Sequence, residues 1–250
     1  MQNNKTLSKI GSIVLALALW QFAAGLLAQN LLLPTPVKVI KKLFDLVLMP
    51  DFWGTVWFSF WRIAGGFLLA MVMGILLAVV SYRFSLVETL LWPYVTLTKA
   101  VPVASFIIIS LVWLSSKELS IFISFLMVFP VIYFNILQGM KATDIKKLQM
   151  AQLFGVPWSK RLLYIYIPQI KPFLLSACSV SLGMAWKSGI AAEVIGIPDG
   201  SIGEMLYEAK VYLSTSELFA WTIVILLVSI LFEKVFLKLL HLFFDRLEKL

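Results

Sequence analysis

Four charged side chains lie inside or directly beside long apolar runs of the sequence: Arg62, Lys99, Lys187 and Glu193. Within a membrane such a charge is costly unless it faces water or protein, reaches the interface, or pairs with an opposite charge. Lys187 lies deepest in its run, and it predicts a polar path that Glu193, Arg62 and Lys99 would also border. The alternatives are a snorkelling Lys187, a structural ion pair of Lys187 with Glu193 or another carboxylate, and interfacial anchoring of Arg62 and Lys99.

The sequence contains none of the familiar patterns of covalent chemistry. It has no G-x-x-x-x-G-K-[ST] phosphate loop, no H-E-x-x-H, no G-x-S-x-G and no C-x-x-C. The single cysteine, Cys178, and the single histidine, His241, exclude a disulfide framework and a Cys/His metal cluster. We therefore predict no catalytic, cofactor-binding or metal-binding residues, and a chain that moves a solute or helps another protein to move it.

Composition indicates a membrane protein. Hydrophobic residues make up 61% of the 250 residues, charged residues make up 14%, and the mean hydropathy is +0.94. Soluble domains are far less apolar and carry more charge. The net charge of +8 would suit nucleic acid, but the basic residues cluster at the ends of apolar runs, which is typical of membrane topology. We expect a lipid bilayer around the chain and no nucleic acid.

Six apolar runs approach or exceed the roughly 20 residues that cross a bilayer as a helix. They are 10–28, 58–81, 93–114, 119–140, 172–192 and 218–238. Each should be helical, because lipid offers no hydrogen bonds to the backbone. A signal peptide would also begin like the first run, but Trp20 to Phe22 stand where cleavage needs small residues, so we expect a retained span. The prediction is an all-α membrane protein with six transmembrane helices in a single transmembrane domain, 1–250.

Lysine and arginine orient these spans. If the N-terminus is cytoplasmic, most basic residues of the connections fall on the cytoplasmic side, and both the N- and C-termini lie there. On the outer side, Thr35 as N-cap and Pro36 as first residue predict a helix lying in the membrane interface, with Val37 and Phe44 on its apolar side. Residues 193–217 predict an acidic outer surface.

Small residues recur every four positions in two of the predicted spans. They are Gly66, Ala70, Gly74 and Ala78 in the second span, and Ala177, Ser181, Ala185 and Gly189 in the fifth. This spacing lets helix backbones approach closely in lipid. It predicts a tightly packed bundle and says nothing about function.

The connection 143–171 interrupts the apolar pattern on the cytoplasmic side. Thr143 or Asp144 can cap a helix, and Gly155 followed by Pro157 predicts its end. A second short helix should begin at Pro157, and Pro168 and Pro172 should end it and lead into the fifth span. A short helix with apolar and basic groups suits docking onto a soluble partner, while the alternative is an ordinary basic loop.

This connection resembles the cytoplasmic signature of ABC importer permeases, E-A-A-x-x-x-G followed after nine residues by I-x-L-P. The matching residues are Gln149, Met150, Ala151, Gly155, Ile165, Ile167 and Pro168. Gln149 replaces the Glu, Met150 an Ala and Ile167 the Leu, whereas every spacing is kept. The stretches "LLPTPVKV", "FWRIAGGFLLAMVMGILLAVV", "AVPVASFIIISLVWL" and "AWKSGIAAEVIG" are similar to the nitrate, sulfonate, taurine and bicarbonate permease branch.

The resemblance implies a type I ABC importer transmembrane domain in a bacterial cytoplasmic membrane. Two permease copies would form the path, two cytoplasmic ATPase subunits would bind ATP and Mg, and an extracytoplasmic binding protein would deliver a small solute such as a sulfonate, nitrate or taurine. The implied ATPase-coupling residues are Gln149, Met150, Ala151, Gly155, Val156, Pro157, Trp158, Ser159, Lys160, Arg161 and Pro168. A secondary transporter, the scaffold subunit of another importer type and a membrane-embedded enzyme are the alternatives.

Overall fold

The computed structural model describes residues 2–27 and 32–247, without the side chains of residues 2–10 and of Lys99. These residues form helices and no strand. The α-helices are α1 (Gln2–Leu27), α2 (Pro36–Val47), α3 (Phe52–Arg83), α4 (Ser85–Ala100), α5 (Val103–Ser110), α6 (Ser116–Lys141), α7 (Ile145–Leu153), α8 (Trp158–Arg161), α9 (Ile167–Gly196), α10 (Ile202–Val211) and α11 (Thr215–Leu247). A π-helical turn, Leu162–Tyr166, joins α8 to α9.

Helices α3, α6 and α9 form the centre of the bundle, and small residues bring them together. Gly66 and Gly74 of α3 lie against α6 so closely that an added Cβ would overlap Ile121 or Ile132. A Cβ added to Gly189 of α9 would likewise overlap the side chain of Ile63 in α3. The small-residue stripes of both spans are buried, so the prediction of close helix packing is confirmed.

Within the described residues, three helices are long and apolar enough to cross a membrane: Phe52–Arg83, Ser116–Lys141 and Trp158–Gly196. The pair α4 and α5 would make a fourth span, but the two helices meet at an angle of 101°. The helix predicted over 93–114 is therefore interrupted between Ala100 and Val103. Pro102 precedes α5, and the residue before a proline is driven out of the helical region; Val101 is extended, with ψ 134°.

The remaining predicted spans coincide with peripheral helices. Run 10–28 lies in α1, except for residue 28, which is outside the described residues, and run 218–238 lies in α11. The indole N–H of Trp20 in α1 donates to the Pro34 carbonyl at 3.1 Å and its ring lies 5.5 Å from that of Phe219 in α11. α11 extends past its predicted span to Leu247, and its last turns contact α9, where Lys171 lies 3.4 Å from Asp245 and 5.9 Å from the Phe244 ring.

Helix α2 begins as the sequence predicts, with Thr35 accepting a hydrogen bond from the Lys38 N–H. Val39 and Leu46 are buried in the core, whereas Val37 and Phe44 stay exposed and leave an apolar side free of protein contact. An apolar side that the protein leaves uncovered agrees with a helix lying on lipid.

Candidate functional site

The turn at Gly155 is the best-defined feature of the connection 143–171. Asp144 caps α7 by accepting from the Lys146 N–H at 2.9 Å. At the other end, the Gly155 N–H donates to Gln152 O at 3.0 Å and the Val156 N–H to Ala151 O at 2.9 Å. These two bonds, with Gly155 at φ +62°, form a Schellman motif, which satisfies carbonyls that the helix end would otherwise leave free. The predicted helix stop is confirmed.

Large apolar side chains project from this turn into open space. Leu153 is 87% exposed, Phe154 80% and Met150 56%, while Ala151 is buried at 4%. Gln149, Ser159 and Lys160 are exposed beside them. We call Met150, Leu153, Phe154 and Lys160 the coupling surface. An apolar patch with a basic edge, held on a capped turn, is suited to binding another protein.

Trp158, next to the coupling surface in the chain, packs against aromatic residues of the bundle. Its ring lies 5.3 Å from that of Tyr166 and 6.4 Å from that of Tyr82 at the end of α3. The Tyr166 hydroxyl lies 3.2 Å from that of Tyr82, and the Arg83 guanidinium lies 5.4 Å above the Trp158 ring. Arg161 closes the turn from the other side, because its Nε donates to Val156 O at 2.6 Å.

Sequence reasoning missed Tyr82, Arg83 and Tyr166 at this site. The only signal was an aromatic–basic pair at the end of the second span, which reads equally as an interfacial anchor. In the structure these residues line a groove of about 360 Å³ between α7 and α8. Its other lining residues are Ile145, Leu148, Gln149, Gln152, Trp158 and Arg161.

The connection to the fifth span differs from the prediction. Neither Pro168 nor Pro172 ends the short helix: the chain remains helical from Trp158 to Gly196, with Pro172 inside α9 and the π turn just before Pro168. In a regular α-helix the proline ring would meet the carbonyl of residue 164, and the wider π turn relieves that contact. Of the coupling surface, Lys160 therefore lies in the first turn of a continuous 39-residue helical rod, and Met150, Leu153 and Phe154 lie just before it, across the Gly155 turn.

Of the three described side chains proposed for the path, those of Arg62 and Glu193 lie close enough to interact electrostatically, whereas Lys187 does not join them. Lys187 is exposed and forms no ion pair within the described part of the chain, whereas Glu193 is fully buried, with Oε2 accepting from Ser59 Oγ at 2.7 Å. Arg62 donates to Lys117 O at 2.8 Å, which ties α3 to the first turn of α6. The Lys99 side chain lies outside the described residues. The alternative of a Lys187–Glu193 ion pair is not observed among the described residues, and the path assignment stays a prediction.

A family model described as "Binding-protein-dependent transport system inner membrane component" matches residues 70–249. Among related proteins, an aliphatic sulfonates transport permease protein, SsuC, of Bacillus subtilis is 28% identical over 228 residues, covering 90% of this chain and 82% of the relative. The taurine transport system permease protein TauC of Escherichia coli is 28% identical, covering 90% and 84%. The nitrate import permease protein NrtB of Synechococcus elongatus is 27% identical, covering 77% and 72%.

The fold also has a relative among solved structures. A chain from the crystal structure of an amino acid ABC transporter with histidines superposes with a TM-score of 0.52 and 19% sequence identity. The match covers 77% of this chain and 90% of that one. At this identity the similarity concerns the arrangement of helices alone.

Proposed function

Since the chain belongs to the family of binding-protein-dependent transport system inner membrane components, we propose that it is the membrane permease of an ATP-driven importer for a small anionic solute. The chain is thus an ABC transporter permease, as the resemblance implied. We propose that two copies form the translocation path. ATP and Mg bind to the partner ATPase subunits, and this chain contributes the path and the mechanical link.

The proposed topology has six spans with both termini in the cytoplasm of a bacterial cell. α1, α3, the bent pair α4 and α5, α6, α9 and α11 each cross once. The end of the bundle that holds Gly155 then lies in the cytoplasm, and α10 lies outside. The concentration of lysine and arginine around residues 141–171 supports this orientation, since basic connections stay on the cytoplasmic side.

The coupling surface carries the functional proposal. Exposed Leu153 and Phe154 would cost solubility on a free surface, so a partner that covers them is expected. We propose that residues 143–171 dock onto the ATPase subunits through the coupling surface, with Gln149 and Ser159 at its edge. Closure of the ATPases on ATP then pushes on Trp158, and the helical rod that begins there carries the movement into the bundle.

The solute class rests on the relatives and on charge. The related permeases are named for sulfonates, taurine and nitrate, all of which carry an anionic group. We propose that the exposed Lys187 of α9 meets such a group in a path formed with the second copy. An extracytoplasmic binding protein would deliver the solute to the α10 side.

Copurification tests the docking. The protein is extracted in mild detergent from its native membrane, and copurifying chains are identified by mass spectrometry. We expect an ATPase with a phosphate loop at about one copy per permease, because each of the two permease copies would bind one ATPase subunit. Phe154→Ser should lower its yield several-fold, because it removes a large exposed apolar side chain from the coupling surface.

Tyr212→Ser is the matched control, since Tyr212 is 78% exposed in the turn after α10, far along the chain from the coupling surface. It should retain the ATPase. A permease that purifies alone, or a Phe154→Ser variant that retains the ATPase fully, would contradict the docking proposal.

A further inference from the structure

The first two N–H groups of helix α10 donate hydrogen bonds to side chains of other helices. The Ile202 N–H donates to Ser59 Oγ of α3 at 2.9 Å, and the Gly203 N–H donates to Glu193 Oε2 of α9 at 3.3 Å. The next N–H, that of Glu204, donates to Ser201 Oγ at 3.0 Å. A helix start leaves its first N–H groups without intrahelical partners, and here three consecutive groups are satisfied. Two of the three acceptors belong to the membrane bundle.

Glu193 and Ser59 act as one unit. Ser59 Oγ donates to Glu193 Oε2 at 2.7 Å while accepting from Ile202, and both side chains are 0% exposed. The carboxylate lies at the positive end of α10, where a negative charge is favoured. Its other oxygen, Oε1, is buried without a hydrogen-bond partner among the described residues, so burying this carboxylate is costly.

The backbone at the start of α10 lets this helix approach α9 closely. A Cβ on Gly203 would overlap the Glu193 backbone, so α10 touches α9 directly only because residue 203 has no side chain. The turn between them contains Ile197 at φ +46°, a conformation that β-branched residues rarely adopt. Strain of this kind persists only where surrounding contacts hold it in place.

Glu193 also lies near the far end of the helical rod that begins at Trp158. That rod runs to Gly196, roughly 55 Å at the usual helical rise. The rod therefore has the coupling surface at one end and the start of α10 at the other.

We infer that Glu193 is a positioning residue, whose buried carboxylate, together with Ser59, clamps α10 to α9 and α3. α10 then follows every movement of the rod. Its consequence for transport, that a push on the coupling surface displaces the outer surface formed by α10, rests on the proposed function. The clamp itself does not.

Hydrogen exchange of the full-length protein in lipid nanodiscs, followed by mass spectrometry, tests the clamp. Glu193→Met fills similar space without an acceptor and should speed exchange in residues 199–206 by about tenfold or more, as expected for losing hydrogen bonds to a charged group. Glu193→Gln keeps an acceptor for Ser59 and Gly203 and should restore most of the protection. Ser59→Ala should resemble Glu193→Met.

Ser124→Ala is the control, because Ser124 is equally buried and donates to Ala185 O between α6 and α9, away from α10. It should leave residues 199–206 unchanged. Unchanged exchange in Glu193→Met, or equal exchange in the Met and Gln variants, would overturn the clamp even in a protein that copurifies with an ATPase. Faster exchange in a protein that copurifies with none would uphold the clamp and count against the proposed function.

Discussion

At the scale of single residues, Gly155 is the position where the backbone conformation most clearly requires a glycine. Its φ of +62° is left-handed, and nothing lies within 4 Å of an added Cβ, so a side chain there meets conformational strain and no clash. For an L-residue that strain is about 1 kcal/mol or slightly more. The match of this glycine to the family signature thus has a local cause, the Schellman turn that presents Leu153 and Phe154.

Gly155→Ala should open the turn more often. About 1 kcal/mol corresponds to roughly fivefold faster hydrogen exchange at the Val156 N–H, which bonds to Ala151 O in the motif. Gly183→Ala is the matched control: Gly183 also has open space around it but sits within α9, where alanine is the better helix former. Equal exchange at Val156 in wild type and Gly155→Ala would show that the turn does not depend on the glycine.

At the scale of elements, the contact of α3 with α6 decides the stability of the bundle. Gly65 and Gly66 are adjacent in α3, and an added side chain would project from different sides of the helix: toward α6 from Gly66 and into open space from Gly65. An added Cβ on Gly66 would overlap the Ile121 carbonyl and lie 2.9 Å from Ser124 Cβ, whereas one on Gly65 would meet nothing within 4 Å. A backbone carbonyl cannot move aside as a flexible side chain can, so α6 itself would have to shift.

Gly66→Ala should therefore destabilise the protein by about 1–3 kcal/mol, the usual cost of overpacking. Gly65→Ala should be neutral or slightly stabilising, because alanine favours the helix. Thermal unfolding of the two variants in the same detergent measures the difference. A Gly66→Ala protein as stable as Gly65→Ala would mean that α3 and α6 are not packed as closely as described.

At the scale of the whole molecule, the proposed topology separates the coupling surface from α10 by the membrane. Cysteines introduced one at a time at Lys160 and Tyr212, with Cys178 replaced by serine, test this with a membrane-impermeant maleimide on intact cells. Both positions are exposed. We expect the cysteine at 212 to react directly and the one at 160 only after permeabilisation, because Gly155 and its neighbours face the cytoplasm.

The opposite labelling pattern would reverse the orientation. Labelling of both positions in intact cells would exclude a barrier between them and with it the six-span arrangement. Either result would also remove the basis for docking a cytoplasmic ATPase on Leu153 and Phe154.

The amino-acid sequence by itself determined the class of protein, the capped turn at Gly155 and the small-residue faces around Gly66 and Gly189. All three depend on composition or on spacings within one helix, which hydrophobicity and backbone geometry set locally. The sequence also located the coupling segment, because its glycine and prolines act on their own neighbours.

Only the tertiary structure decided which distant groups meet. Tyr82 joins Tyr166 across 84 residues, and Ser59 joins Glu193 across 134. No local spacing encodes such pairs, so the hydroxyl that α3 supplies to the buried Glu193 carboxylate could not be predicted from the sequence. Packing also overruled the prediction of a helix end at Pro168, because a widened turn lets the helix continue through the proline.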